Sequence, residues 1–365
     1  MNVREQQTTL EPLERETTLA PQTGGTQRAC ADRCAEALAL RVSVVVPTWR
    51  RPDLLGRCLR ALAAQTLPPD CYEIVVCDDG PDDGTRELVA NVADTHAARG
   101  LHVDYLPISA TQGPAAARNA GWRRARAPIV AFTDDDTIPD ARWLEAGLAA
   151  LADGAMAASG AIVVPVAPIG RAPTDYEADA SGLARAEFAT ANAFVRRAAL
   201  AAVGGFDERF TAAWREDSDL QFALLRTGAQ IVRAENAVVV HPVRPARWGV
   251  SLSQQKKSCF EALLYSKHRD LYKTRIARTA PWRYYAIVLA AMAACAAAIG
   301  GAYGVAASAG AVWAVLTARF FAQRMRARSR HWKHVAEMAV TSAVIPFLSI
   351  YWRIRGAIRY RIWFL

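Results

Sequence analysis

From residue 41 onward the chain alternates short, continuous apolar runs with amphipathic ones. VSVVVP (42–47), YEIVVCD (72–78), Val103 to Pro107 and PIVAFT (128–133) carry consecutive apolar residues, the pattern of strands buried on both faces. Between them, Arg51-Pro52-Asp53 opens a helix with Leu54, Leu55, Cys58, Leu59 and Leu62 on one side. Gly84 to Ala98 and Pro114 to Ala125 read as further helices. Apolar strands separated by helices predict an α/β domain, a mostly parallel sheet covered on both faces. Such sheets bind ligands outside the carboxyl ends of their strands.

Residues 187–242 read as a second lobe. The pattern predicts a helix over Phe194 to Val203, a glycine-started loop (GGFDERF, 204–210) and a helix from Glu216 to Thr227 closed by Gly228. IVRA and AVVVH follow as two short strands.

The rest is membrane-like. Between Arg283 and Arg319 lie 35 residues without a charge, with Gly300-Gly301 in the middle. One helix of that length would reach roughly 52 Å, far beyond the ~30 Å hydrocarbon core. A transmembrane hairpin over 284–320 fits better. A third apolar stretch, 335–351, is broken by Pro346 and flanked by basic residues on both sides, which favours a membrane or re-entrant segment. Residues 250–280 combine Lys and Arg with Phe260, Leu263, Leu264 and Leu271 at helical spacing. They read as an amphipathic interfacial region, or as a helix packed on the α/β domain.

Charge sharpens this reading. The chain carries 44 Lys and Arg against 35 Asp and Glu, a net +9. From Arg324 to Arg361 nine basic residues stand against one acid, Glu337. The excess sits beside apolar runs, which points to the cytoplasmic side of a membrane and away from a nucleic-acid partner. Residues 1–40 are rich in Thr, Gln and Glu, lack an apolar signal segment and read as irregular. The seven cysteines form no CxxC pair, which fits reduced thiols in a cytosolic compartment.

The acids cluster where strands end. Asp78-Asp79-Gly80 follows the second strand, where a carboxylate could accept from a base or ribose, or simply cap a turn. Asp134-Asp135-Asp136 follows the fourth. Three adjacent carboxylates raise one another's pKa unless a cation is near, and oxygen ligands suit Mg²⁺ or Mn²⁺. Glu216-Asp217, with Asp219, opens a helix in the second lobe. Acids in a first turn suit the helix dipole, but a carboxylate there could also serve as a base across a cleft.

Taken in order, six segments resemble the family 2 glycosyltransferases of the GT-A fold over about residues 41–245, divided into a nucleotide-binding part (41–166) and an acceptor part (187–245). They are VVPTWRRPDLLGRCLRALAAQT, VVCDDGPDDGT, GPAAARNAGWRRA, FTDDDTIPDARWL, TANAFVRRAALAAVGGFDERF and WREDSDLQFALLRTG. The resemblance implies that Pro47, Thr48, Arg50, Asp78, Asp79, Arg118, Asp134 and Asp135 bind the nucleotide sugar. It makes Asp136 the direct metal ligand with Asp134 beside it, and His241 a further candidate. Asp217 would be the catalytic base, and Glu216, Asp219 and Trp214 would hold the acceptor. The implied reaction moves one sugar from a nucleotide-diphosphate donor, with inversion, to a lipid-linked or cell-envelope glycan. The enzyme would sit in the cytoplasmic membrane with its catalytic domain facing the cytoplasm. A processive polysaccharide synthase and a non-catalytic, membrane-tethered nucleotide-sugar binder are the alternatives. Arg244-Pro245-Ala246-Arg247-Trp248 lies near the place of the Gln-x-x-Arg-Trp motif of processive members, with Arg where Gln is expected.

Overall fold

The computed structural model describes residues 39–166 and 170–364. The irregular segment expected over 1–40 lies, up to residue 38, outside the described residues. Eight strands form one sheet: β1 (Val42–Thr48), β2 (Tyr72–Asp78), β3 (His102–Pro107), β4 (Ile129–Thr133), β5 (Ile138–Pro139), β6 (Ala157–Val163), β7 (Asn192–Arg196) and β8 (Ile231–Val240). Their spatial order is β3-β2-β1-β4-β7-β6-β8-β5. The four on the β3 side run parallel, and β7 then pairs antiparallel with both β4 and β6. The chain winds outward from β1 to β2 and β3, then returns to place β4 on the other flank of β1. That reversal opens a crevice at the carboxyl ends of β1 and β4.

Helices cover both faces: α1 (Pro52–Ala63), α2 (Asp83–Ala97), α3 (Pro114–Arg124), α4 (Trp143–Ala150), α5 (Asp175–Ala180), α6 (Arg197–Val203) and α7 (Glu216–Arg226). The pleat sorts the apolar runs into two cores. Val44, Val46, Ile74 and Val76 pack with Leu55 and Leu59 of α1 and Val89 of α2. Val45, Val75 and Cys77 face Ala115, Ala117 and Trp122 of α3. Helix α3 lies very close to the sheet: a Cβ on Gly121 would stand 2.4 Å from Val45 Cγ1 and 2.6 Å from Cys77 Sγ.

Two expectations for the second lobe change. Phe194 to Arg196 is not helical; it belongs to β7, and only Arg197–Val203 forms a helix. Strand neighbours on both sides override the local pattern, and Phe194 is fully buried with its ring 4.9 Å from that of Trp143. IVRA and AVVVH are one strand, β8, carried past Glu235-Asn236 by a register shift opposite Gly160 and Ala161.

The C-terminal part comprises α8 (Val250–Gln254), α9 (Cys259–Lys267), α10 (Arg269–Arg275), α11 (Trp282–Ile299), α12 (Tyr303–Arg324) and α13 (Trp332–Arg359). Phe260, Leu263 and Leu264 of α9 do not face outward to a bilayer. They are buried with Phe210 and Phe222 of the α/β domain. Helices α11, α12 and α13 are each long and apolar enough to cross a membrane. The first two pack on each other across a turn in which Gly301 has φ 77°, and they expose Leu289, Met292, Val305, Val312 and Val315. Helix α13 continues through Pro346 for 28 residues instead of breaking there. One of its faces is buried along its length, from Met338 and Thr341 to Gly356, and that packing outweighs the hydrogen bond a proline forfeits.

Candidate active site

The crevice is an open cleft of about 770 Å³ lined by residues from both lobes. One wall is built from strand ends. β1 delivers Pro47 and Thr48, and β4 leads into Asp134-Asp135-Asp136. Thr48 Oγ1 donates to Asp135 Oδ2 at 2.7 Å, tying the two strand ends together. Burial pushes the Asp135 carboxyl up to about 6, against the pull of Arg51 and Thr48. Arg51 stands 3.1 Å from Asp135 and 3.9 Å from Asp136, and Arg244 Nε is 3.1 Å from Asp136 Oδ2. Asp134, Asp136 and His241 each offer one ligand atom, all within 4.8 Å of one another. Two carboxylates and an imidazole nitrogen form a donor set that fits a divalent cation.

The opposite wall is the first turn of α7. Glu216 is buried, with Oε1 3.2 Å from Arg118 Nη1. Burial and the neighbouring Asp217 charge raise its pKa to about 8, with Arg118 pulling the other way. Asp217 is half-buried and lines the cleft, and Thr190 Oγ1 donates to its Oδ1 at 2.6 Å. Its pKa too is raised, chiefly by burial, while Arg118 and Thr190 oppose the rise. Arg118 joins the walls: its Nη2 donates to Asp134 Oδ1 at 2.8 Å. Asp134 is consequently held below the usual carboxylate range despite its burial, by Arg118 and then His241.

The other candidate residues divide. Asp79 lines the cleft, where its carboxylate accepts from Gly113 N at 2.8 and 2.9 Å. Asp78 is fully buried and turns inward, accepting from Gly80 N and the Tyr105 hydroxyl. Trp214 lines the cleft, but Asp219 does not. Asp219 is buried behind α7 against Lys267 Nζ at 2.7 Å and His268 Nε2 at 3.1 Å. Arg50 is exposed beside Trp49, outside the lining, while its neighbour Arg51 faces the acids. Arg51, Thr190 and Arg244 escaped the sequence reading as site residues. Arg244 had a signal, as the first residue of the Arg-x-x-Arg-Trp stretch; Arg51 and Thr190 stand within the quoted family-like segments, but nothing in the pattern singled them out.

Comparison with known proteins fits this geometry. The family described as Glycosyl transferase family 2 matches residues 43–204, and Glycosyl transferase family group 2 matches residues 129–322, more than half of the chain. The glycosyltransferase AglE of Haloferax volcanii is 28% identical over 213 residues, which are 56% of this chain and 67% of that protein. A validoxylamine A glucosyltransferase of Streptomyces hygroscopicus subsp. limoneus is 39% identical over 116 residues, 32% of this chain but only 25% of its own length. Among solved structures, the mannosyltransferase PcManGT of Pyrobaculum calidifontis, in complex with GDP-Man and Mn²⁺, superposes with a TM-score of 0.53 at 21% identity, covering 90% of this chain and 95% of that one. The fold is therefore GT-A-like. The chain belongs to the family 2 glycosyltransferases, and it is a transferase enzyme.

Proposed function

We propose that the chain transfers a single sugar, with inversion, from a nucleotide-diphosphate donor to a lipid-linked or cell-envelope glycan acceptor in a metal-dependent reaction. The observation that carries this reading is a single cleft with an acid–histidine cluster on one wall and a half-buried aspartate on the other. Pro47, Thr48 and Asp79 bound the donor side. Asp134, Asp136 and His241 would hold the cation, and the nitrogen donor makes Mn²⁺ a better match than Mg²⁺, which prefers an all-oxygen shell. Bound there, the cation supplies charge neutralisation for the leaving diphosphate.

Asp217 takes the proton from the acceptor hydroxyl as that oxygen attacks the anomeric carbon from the face opposite the diphosphate. A single displacement inverts the configuration. Thr190 occupies Oδ1 of Asp217, which leaves Oδ2 for the acceptor. With the Glu216 pKa raised to about 8, Glu216 holds a proton at neutral pH, so the ionised form of the pair falls to Asp217. The neighbouring 410 Å³ cavity supports a lipid-linked acceptor. It shares Tyr176, Val243 and Arg244 with the cleft and has His334 and Met338 of α13 in its wall. The basic block after Arg324 supports a catalytic domain on the cytoplasmic face.

The test is Asp217→Asn, assayed with a panel of nucleotide sugars. A general base contributes ~10²–10⁴-fold, so kcat should fall by about that much while donor binding stays the same. The raised pKa puts the acid limb of kcat above the ordinary aspartate value of about 3.9, with activity lost as pH falls through it, and the variant should lack that limb. Loss of donor binding with the rate retained would move Asp217 to the donor site.

A further inference from the structure

Four non-glycine residues among those described have a left-handed backbone, and two of them, Arg50 and Arg215, flank the catalytic cleft. Arg215 has φ 75° and ψ −9° and immediately precedes Glu216 and Asp217. Its carbonyl accepts from Asp219 N at 2.9 Å, so its backbone sets how the first turn of α7 begins. An arginine does not adopt this conformation on its own, because its Cβ crowds the backbone. Something must hold it there.

The holding group is Glu261, on α9. This buried carboxylate uses both oxygens. Oε1 accepts from Arg215 Nε at 2.8 Å and from Trp214 Nε1 at 2.9 Å, and Oε2 accepts from the Tyr272 hydroxyl at 2.8 Å. The guanidinium of Arg215 also lies over the Trp214 ring, 4.8 Å from its centroid. Helix α9 is itself fixed. Its apolar residues are buried with Phe210 and Phe222, and its first residue meets α13 so closely that a Cβ on Gly356 would stand 2.5 Å from the Cys259 carbonyl oxygen. Lower down, Lys267 and His268 grip Asp219 of α7. Arg226 Nε can only donate to His268 Nδ1, so the proton on that ring sits on Nε2, facing Asp219.

We propose that Glu261 is a positioning residue for the transferase reaction: by clamping Arg215 and Trp214 it keeps the turn before Glu216-Asp217 left-handed and so aims Asp217 into the cleft. This rests on Asp217 being the base. Glu261 does not line the cleft and touches no reacting group.

The test uses the full chain in detergent and follows nucleotide release from GDP- and UDP-hexoses with Mn²⁺. A misplacement near 1 Å can cost about 10²-fold, so Glu261→Ala should lower kcat ~10–100-fold with the donor KM nearly unchanged. Glu261→Gln keeps an acceptor for Arg215 and Trp214 and exchanges only the charge assistance, so it should stay within roughly fivefold of wild type. The decisive variant is Glu261→Ala combined with Arg215→Gly. Glycine takes positive φ without a clamp, so most of the lost rate should return. An unchanged kcat in Glu261→Ala overturns the proposal. So does a double variant no faster than the single one when both melt at the same temperature. If Glu261→Ala fails to fold, Arg215→Gly is compared with Arg215→Ala. Both lack the guanidinium and only glycine keeps the turn, so equal rates overturn the proposal and a faster glycine variant supports it. Asp217→Asn separates the two readings: an unaffected rate there removes the base assignment, whatever Glu261 does.

Discussion

The two walls of the cleft are made in different ways. The proposed donor wall hangs from the ends of β1 and β4, and its acids are neighbours in sequence that the strand end presents together. Arg51, Arg244 and His241 then gather around them. The proposed acceptor wall hangs from one helical turn whose backbone is held by residues far along the chain, Glu261 above all. A site on strand ends is fixed by the sheet. A site on a helix start needs a second layer of side chains to fix it. Changes at the donor wall should therefore act through charge, and changes at the acceptor wall through geometry.

The largest effect expected at the donor wall is from Asp136→Ala. It removes one of the three ligand atoms that lie within 4.8 Å of one another and the partner of Arg244. Transfer and Mn²⁺-dependent nucleotide binding should be abolished, with an unchanged melting temperature. Calorimetric titration of nucleotide with and without Mn²⁺ measures this, and excess chelator on the wild-type protein should reproduce it. Full activity in chelator would break the comparison at its donor side.

The same contrast explains what was legible in the sequence. The buried strands and the Asp134–Asp136 cluster are local features, so apolar runs and adjacent acids expose them directly. Arg50 was expected at the donor, yet it has φ 52°, a turn that no glycine announces, and it is the next residue, Arg51, that reaches Asp135. Asp219 was expected at the acceptor, yet its partners are Lys267 and His268, and nothing around residue 219 encodes them. Phe194 has a helical neighbourhood in sequence but two strand neighbours in space. At Asp219 and Phe194 a long-range contact overrides a local pattern.

Arg118 joins the two walls and should answer to both rules. It is nearly inaccessible and bridges Asp134 and Glu216. Removing one partner of a buried ion pair commonly costs about 3–5 kcal/mol. Arg118→Ala should lose stability toward the lower end of that range, because Glu216, with its pKa raised to about 8, already holds a proton at neutral pH and only Asp134 is left with an uncompensated charge. Denaturant unfolding in detergent measures the loss. Asp134 then loses the guanidinium that holds its pKa down, so activity should fall along with stability. A variant as stable as wild type would mean that the walls stand independently.

The smallest expected effect comes from an acid at the other end of the same sheet. Glu73 sits near the amino end of β2, away from the cleft, and its buried carboxylate accepts from Ser43 Oγ at 2.6 Å, Arg126 N at 2.8 Å and Arg126 Nε at 2.6 Å. Burial pushes its pKa up, but the hydrogen bonds from Ser43 and Arg126 outweigh it and hold the group below the usual glutamate range. A depressed acid stabilises the fold at pH values above its unfolded pKa, about 4.3, and that contribution is lost as pH falls through the lower folded value. Glu73→Gln keeps one acceptor oxygen but turns an amide toward Arg126 Nε. It should cost roughly 1.5–3 kcal/mol at neutral pH, the range for hydrogen bonds to a charged group. The gap from wild type should shrink as pH falls below about 4.3 and close once pH has passed the lower folded value, because only then is the wild-type carboxylate neutral as well. Unfolding curves at neutral and acid pH measure the gap, and nucleotide release at saturating donor should match wild type throughout. A gap that stayed constant with pH would mean that the loss is one of packing and not of charge. A fall in rate would mean that the amino end of the sheet also shapes the cleft, which contradicts the division of labour between the two ends of β2.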